Sequence, residues 1–160
     1  MRRKAYVVLS VVLLVAVVLT GCSGASRKSG PAIKVGQVTD TGGIDDQSFN
    51  QTSWKGVEEA IDKLGVEGRY LESQQPTDYA KFITEFLQQD YDLIVTVGYL
   101  LGEDTAKFAQ ENPDSKFAIV DYAYDPVIPN VLGLIYATDQ ASFMAGYLAA
   151  GMSKTGKVAT

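Results

Sequence analysis

From Ile33 onward, short continuous runs of Val, Ile and Leu alternate with longer segments whose apolar residues recur every three or four positions. The runs are Ile33–Val38, Leu93–Val97, Phe117–Val120 and Val131–Ala137, and Arg69–Glu72 adds a shorter candidate strand. Between them, Trp54, Val57, Ile61 and Leu64 stripe one face of a helix from about Ser48, which Gly65 closes as a C-cap glycine. A second helix starts at Pro76-Thr77-Asp78 and carries Tyr79, Phe82, Ile83, Phe86 and Leu87 on one face. A third runs from Leu101 to Glu111 and stops at Asn112-Pro113, and a small-residue helix covers Ser142–Met152. Strands separated by helices of this length pair in parallel through right-handed crossovers. Runs dominated by Val, Ile and Leu suit a sheet buried on both faces. The pattern therefore predicts a doubly wound α/β lobe over residues 33–155.

In such sheets ligands lie outside the carboxyl ends of the strands. The first corner, Val35 to Trp54, passes from strand to a polar Gly42-Gly43 loop to a helix start. It would present Asp40, Ser48, Phe49 and Asn50 to a crevice. A small flat polar ligand needs an aromatic face and a few hydrogen-bonding groups at its edge. Phe49 is either that face or a hydrophobic staple packed under the loop. Asn50 either reads a ligand edge with its paired donor and acceptor or serves as a cap or first-turn polar residue. Asp121 ends a buried strand on the same side and either faces the crevice or caps its own loop. Tyr99, just after Gly98, either lines the wall or is an ordinary exposed loop tyrosine.

Catalysis has little to work with. The chain contains no histidine and one cysteine, which removes Ser-His and Cys-His nucleophile pairs. Neither a phosphate loop nor the dinucleotide glycine pattern is present. Asp45-Asp46 either binds a hard cation or does acid-base work, or it solvates the loop or complements the helix N-terminus. No cofactor and no metal site is implied, and the chain is not expected to be an enzyme.

The first residues read as an address. Arg2, Arg3 and Lys4 precede a Val/Leu/Ala run from Ala5 to Leu19, then Leu19-Thr20-Gly21-Cys22. This is a secretory signal over residues 1–21. Its apolar stretch is shorter than the ~20 residues of a membrane-spanning helix. Leu-x-x-Cys after that stretch resembles the bacterial lipobox, in which the cysteine is lipidated and becomes the mature first residue. Residues 22–32 are then a flexible Ser/Gly tether on a lipid anchor, holding the protein on the extracytoplasmic face of the cell membrane. Loss of the signal takes away Arg2, Arg3 and Lys4 and no acid, so the formal net charge of −5 becomes −8. An acidic domain without clustered Lys and Arg argues against nucleic acid as a partner.

Val38-Thr-Asp-Thr-Gly-Gly-Ile-Asp-Asp-Gln-Ser-Phe-Asn-Gln51 resembles the signature of the basic membrane protein family, lipoproteins similar to a purine-nucleoside receptor that serve ABC importers as substrate-binding proteins. Ile119-Val-Asp-Tyr122 and Ser142-Phe-Met-Ala-Gly-Tyr-Leu-Ala-Ala150, leading to Ser153-Lys-Thr-Gly-Lys-Val158, agree with it. The resemblance implies a type I periplasmic-binding-protein fold, in which two α/β lobes close on a ligand. It also implies a nucleoside ligand, a purine one by preference, and ABC permease subunits as partners. Its binding residues map here onto Asp40, Phe49, Asn50 and Asp121. A sensing lipoprotein of the same fold without a transport role is the alternative. One departure is Asp139-Gln140-Ala141, where many members carry an acid just before the Ser-Phe helix. Lys157-Val158-Ala159 reads as the start of a further strand entering a second lobe, so residues 156–160 are expected to begin a missing half.

Overall fold

A computed structural model describes residues 32–159. The expected signal, Cys22 and all of the tether before Ala32 lie outside the described residues. The elements are β1 (Lys34–Val38), α1 (Phe49–Leu64), β2 (Glu67–Leu71), α2 (Thr77–Gln88), β3 (Leu93–Val97), a 3-10 turn (Tyr99–Leu101), α3 (Gly102–Glu111), β4 (Lys116–Val120), β5 (Val131–Leu134) and α4 (Thr138–Met152). The five strands form one sheet in the order β2-β1-β3-β4-β5, every pair parallel. The expected α/β architecture is therefore present.

That order has a physical consequence. The chain leaves β1 for one edge, then returns past it to β3, so the crossovers lie on opposite faces of the sheet. Helix α1 covers one face: a Cβ on Gly68 would come within 2.7 Å of Ile61 and 2.8 Å of Val57. Helix α2 covers the other so closely that a Cβ on Gly36 would meet the Phe86 ring at 2.7 Å. Both glycines exist to let a helix approach the sheet. Phe86, Ile83, Val38, Ile94, Leu101 and Phe117 are fully or almost fully buried in the core on this second face. Beside them, the hydroxyls of Thr96 and Thr105 meet at 2.8 Å, so this buried polar pair joins β3 to α3.

Gly65 closes α1 in the left-handed conformation (φ 72°), with its N–H on the Ile61 carbonyl, as its position predicts. Elsewhere the boundaries move. The second strand spans Glu67–Leu71 instead of starting at Arg69. The expected Val131–Ala137 strand ends at Leu134, because β4 ends at Val120 and the last link is the Asp121 N–H on the Leu134 carbonyl. Ile135 to Ala137 have no neighbouring strand to pair with. The final helix starts at Thr138, four residues before Ser142, since the Ala137 carbonyl accepts the N–H of Gln140 and of Ala141. Lys157-Val158-Ala159 is not a strand in the structure, and no strand among the described residues lies beside it. Helix α4 buries none of its residues.

Candidate functional site

Because all strands point the same way, the residues that follow β1, β3 and β4 emerge on one edge of the sheet. These are Thr39-Asp40, Gly98 and Asp121. β1 and β3 are neighbours with crossovers to opposite sides, so the edge opens between them, at the topological switch point where ligands of such sheets bind.

The β1–α1 loop is knitted to this edge by one aspartate. Asp46 Oδ1 accepts the N–H of Ser48 (2.8 Å) and of Gln51 (3.1 Å), and its Oδ2 accepts the N–H of Asn50 (2.9 Å). The first turn of a helix has N–H groups without intrahelical partners, and Asp46 supplies acceptors for them. Desolvation raises the carboxyl's pKa, but the Asn50, Gln51 and Ser48 backbone bonds and the Asn50 amide outweigh it and hold Asp46 below the ordinary carboxylate value. Ser48, the residue before the helix, makes no side-chain cap bond.

Asn50 is 1% exposed, and its amide is used inside the chain. Its Nδ2 donates to Asp40 Oδ1 (2.7 Å) and to Asp46 Oδ2 (3.2 Å), while its Oδ1 accepts the Asp40 N–H at 3.2 Å. Its backbone carbonyl takes the Gln37 amide at 3.0 Å. Of its two sequence readings, edge reader or first-turn polar residue, the geometry corresponds to the second. Asp40 is half-buried. The Gly42 N–H donates to its Oδ1 at 2.8 Å, so that oxygen holds two donors. Among the described residues none donates to Oδ2. That oxygen faces Gly98, where a Cβ would stand 3.3 Å away and where φ is 95°. Glycine is required there on both counts.

Phe49 opens α1 and is 45% exposed, so its ring is not packed under the loop as a staple. It lines a hollow of about 270 Å³ with Ser48, Thr52, Ser53, Val120 and Tyr136. Asp121 stands at the end of β4 in the left-handed region (φ 61°), a conformation that Asp tolerates better than most residues. Tyr99 starts the 3-10 turn and is 64% exposed. Neither lines the Phe49 hollow. The structure thus brings together Ser48 and Phe49 in one hollow, and Asp40, Asn50 and Gly98 in one contact, along the same edge. Tyr136 escapes sequence reading because it sits inside an apolar run that reads as strand. Gly98 reads there only as a strand terminator. Asp45 is exposed and Asp46 is taken by N–H groups; among the described residues no group of three His, Cys, Asp or Glu is placed to hold a metal.

The comparisons with known proteins identify the family. A family model described as "ABC transporter substrate-binding protein PnrA-like" matches residues 33–160. The "CD4+ T-cell-stimulating antigen" of Listeria monocytogenes is 34% identical, over 98% of this chain and 47% of that protein. The "ABC transporter nucleoside-binding protein BmpA" of Lactococcus lactis is 33% identical, over 99% of this chain and 47% of that one. The chain therefore spans about half the length of the curated relatives it matches. Among solved structures, an ABC transporter solute-binding protein from Aeropyrum pernix superposes with a TM-score of 0.69 at 30% identity, covering 74% of this chain and 32% of that one. The family model and this structural neighbour are described as substrate-binding and solute-binding proteins. With a family match that covers nearly the whole described region, the strand–loop–helix corner included, the chain belongs to the PnrA-like family of ABC transporter substrate-binding proteins.

Proposed function

We propose that the chain is the N-terminal ligand-binding lobe of an extracytoplasmic lipoprotein that captures a purine nucleoside and delivers it to an ABC permease. The observation that carries this reading is that the exposed Phe49 ring and the half-buried Asp40 lie along the same edge of the sheet, at its switch point. Phe49 stacks on the base. Asp40 accepts from a donor on the base edge through its free Oδ2, and Asp121 supplies a second acceptor. Ser48 and Tyr99 line the approach, and Asn50 contributes from behind Asp40. The nucleoside-binding relative from Lactococcus supports the ligand class. A second lobe completes the cleft, a reading supported by the length of the relatives and by the bare apolar surface of α4. Cys22 carries the lipid.

Calorimetric titration of adenosine, guanosine and inosine against the full-length protein tests this. Stacking of a base on an aromatic ring contributes ~1–3 kcal/mol and tolerates any base. Phe49→Ala should therefore weaken all three by similar factors, whereas Asp40→Ala should change their ranking, since a hydrogen-bonding site rejects the wrong edge. Unchanged affinities in Phe49→Ala defeat the stacking role. The isolated residues 33–155 should bind far more weakly than the full-length protein. For the anchor, Cys22→Ala should move the protein from membranes to the soluble exported fraction.

A further inference from the structure

The free oxygen of Asp40 is free for a reason that lies one step behind it. Asp40 has two carboxylate oxygens, and a freely rotating carboxylate would offer either to a ligand. Here Oδ1 is held by the Asn50 amide at 2.7 Å and the Gly42 N–H at 2.8 Å. The Asn50 amide in turn has no freedom of its own. One face of it is fixed by the Asp40 N–H on its Oδ1, and the other by Asp46 Oδ2 at 3.2 Å. Asp46 is itself pinned by three backbone N–H groups of the α1 start. Asn50 is almost wholly buried, so water does not compete for these bonds.

We infer that Asp46 is a positioning residue of the binding site: acting through the Asn50 amide, it locks the Asp40 carboxylate with Oδ1 occupied and Oδ2 presented to the ligand. Asp46 never touches the ligand. Its negative charge also decides the orientation of the Asn50 side chain. With Asp46 ionised, the Nδ2 end of the amide must point toward both carboxylates. The Oδ1 end is left to take the Asp40 N–H. A flipped amide would set its oxygen against the oxygens of Asp40 and Asp46. The pre-set geometry spares the ligand the cost of ordering the carboxylate.

The inference rests on the reading of Asp40 as a ligand contact, and two measurements separate them. In the full-length protein, inosine, guanosine and adenosine are titrated against Asp46→Asn, Asp46→Ala, Asp40→Asn and the double variants. Asp46→Ala should weaken binding roughly tenfold, the size of one hydrogen bond to a charged group. On the Asp40→Asn background the same change should cost no more than about twofold, because residues acting through one another are not additive. On a Phe49→Ala background it should keep its full effect. Equal losses from Asp46→Ala with and without Asp40 overturn the inference. Asp46→Asn keeps one acceptor for the helix N–H groups and covers the case in which the alanine variant does not fold.

The second measurement needs no ligand. Both Asn50 side-chain amide protons are donated in the parent, so they should exchange slowly with solvent in ¹⁵N spectra. Asp46→Asn should speed that exchange while the core amides of β3 stay protected. Unchanged exchange overturns the relay whatever the titrations give. A parent protein that binds none of the three nucleosides defeats the functional reading instead, and the exchange result then decides the relay alone.

Discussion

The stretch from β1 to β4 and the stretch that ends in α4 obey different rules. Helices α1 to α3 each lay an apolar stripe on the sheet and turn charged residues outward, as Lys63 and Glu59 do on α1 with an exposed 2.7 Å pair. α4 has no such division. Phe143, Met144, Tyr147, Leu148 and Met152 are all exposed, Phe143 to 73%, and the Phe143 and Tyr147 rings lie near-parallel on each other instead of on a core. A helix that is apolar around its circumference is suited to burial on several sides. The body offers it no surface. The difference teaches that the described core is packed without α4, whose apolar residues stay exposed. Exposed apolar surface of this kind marks an interaction face.

If that contrast is right, equivalent changes in the two regions must have unequal effects. The largest gap is expected between two phenylalanines. Phe86→Ala empties the fully buried site against Gly36 and should destabilise by ~3–5 kcal/mol. Phe143→Ala in the same 160-residue chain should stay within about 0.5 kcal/mol. Urea unfolding of both decides it, and similar losses would mean that α4 packs on the body.

A pair of glycines sharpens the comparison at smaller scale. Gly36→Ala drives a Cβ to 2.7 Å from the Phe86 ring and should cost ~1–3 kcal/mol through overpacking. At Gly146, in α4, a Cβ meets nothing within 4 Å. Gly146→Ala should instead stabilise the helix by ~0.5–1 kcal/mol. Opposite shifts in melting temperature are the expected result.

The next effect depends on pH and belongs to the body alone. The folded state holds the Asp46 carboxyl below its ordinary value. A group with a lowered folded pKa adds stability above its unfolded pKa, and that stability is lost as pH falls through the folded one. Stability of the parent should therefore drop below about pH 4, and Asp46→Asn should flatten that acid limb. Identical acid limbs would show that the loop carboxylate is not held as described. The smallest effect is on the surface of α4. Phe143→Ser with Tyr147→Ser should reduce binding of an apolar dye to the 160-residue chain with little change in its melting temperature.

Much of this was legible in the residues. The order of strands and helices follows from continuous apolar runs set between periodic segments, since a doubly covered sheet demands such runs. The edge on which Asp40, Gly98 and Asp121 lie follows from parallel pairing. What could not be read is which side chains spend their polar atoms on each other. Asn50 has the same donor and acceptor whether it faces a ligand or two aspartates; only the fold of the loop decides. Tyr136 was hidden by the apolar run Val131–Ala137, which continues past the point where β4 stops offering partners. The start of α4 was hidden because Thr138-Asp139-Gln140 carries no periodic apolar residue, and the helix has no single face to recognise.

The double duty of Asn50 has a consequence for how such a binding protein changes ligands over generations. Its carbonyl receives a buried β1 side chain, Gln37, while its amide orients Asp40. If Asp40 contacts the ligand as proposed, a mutation at Asn50 disturbs fold and recognition together, and a lineage drifting toward a new ligand pays for it in folding. Phe49 and Tyr136 carry no such tie, being exposed on the rim of their hollow. Variation that retunes the ligand should accumulate at those two positions, and directed evolution that starts from them should yield folded variants far more often than libraries built on Asp40, Asp46 or Asn50.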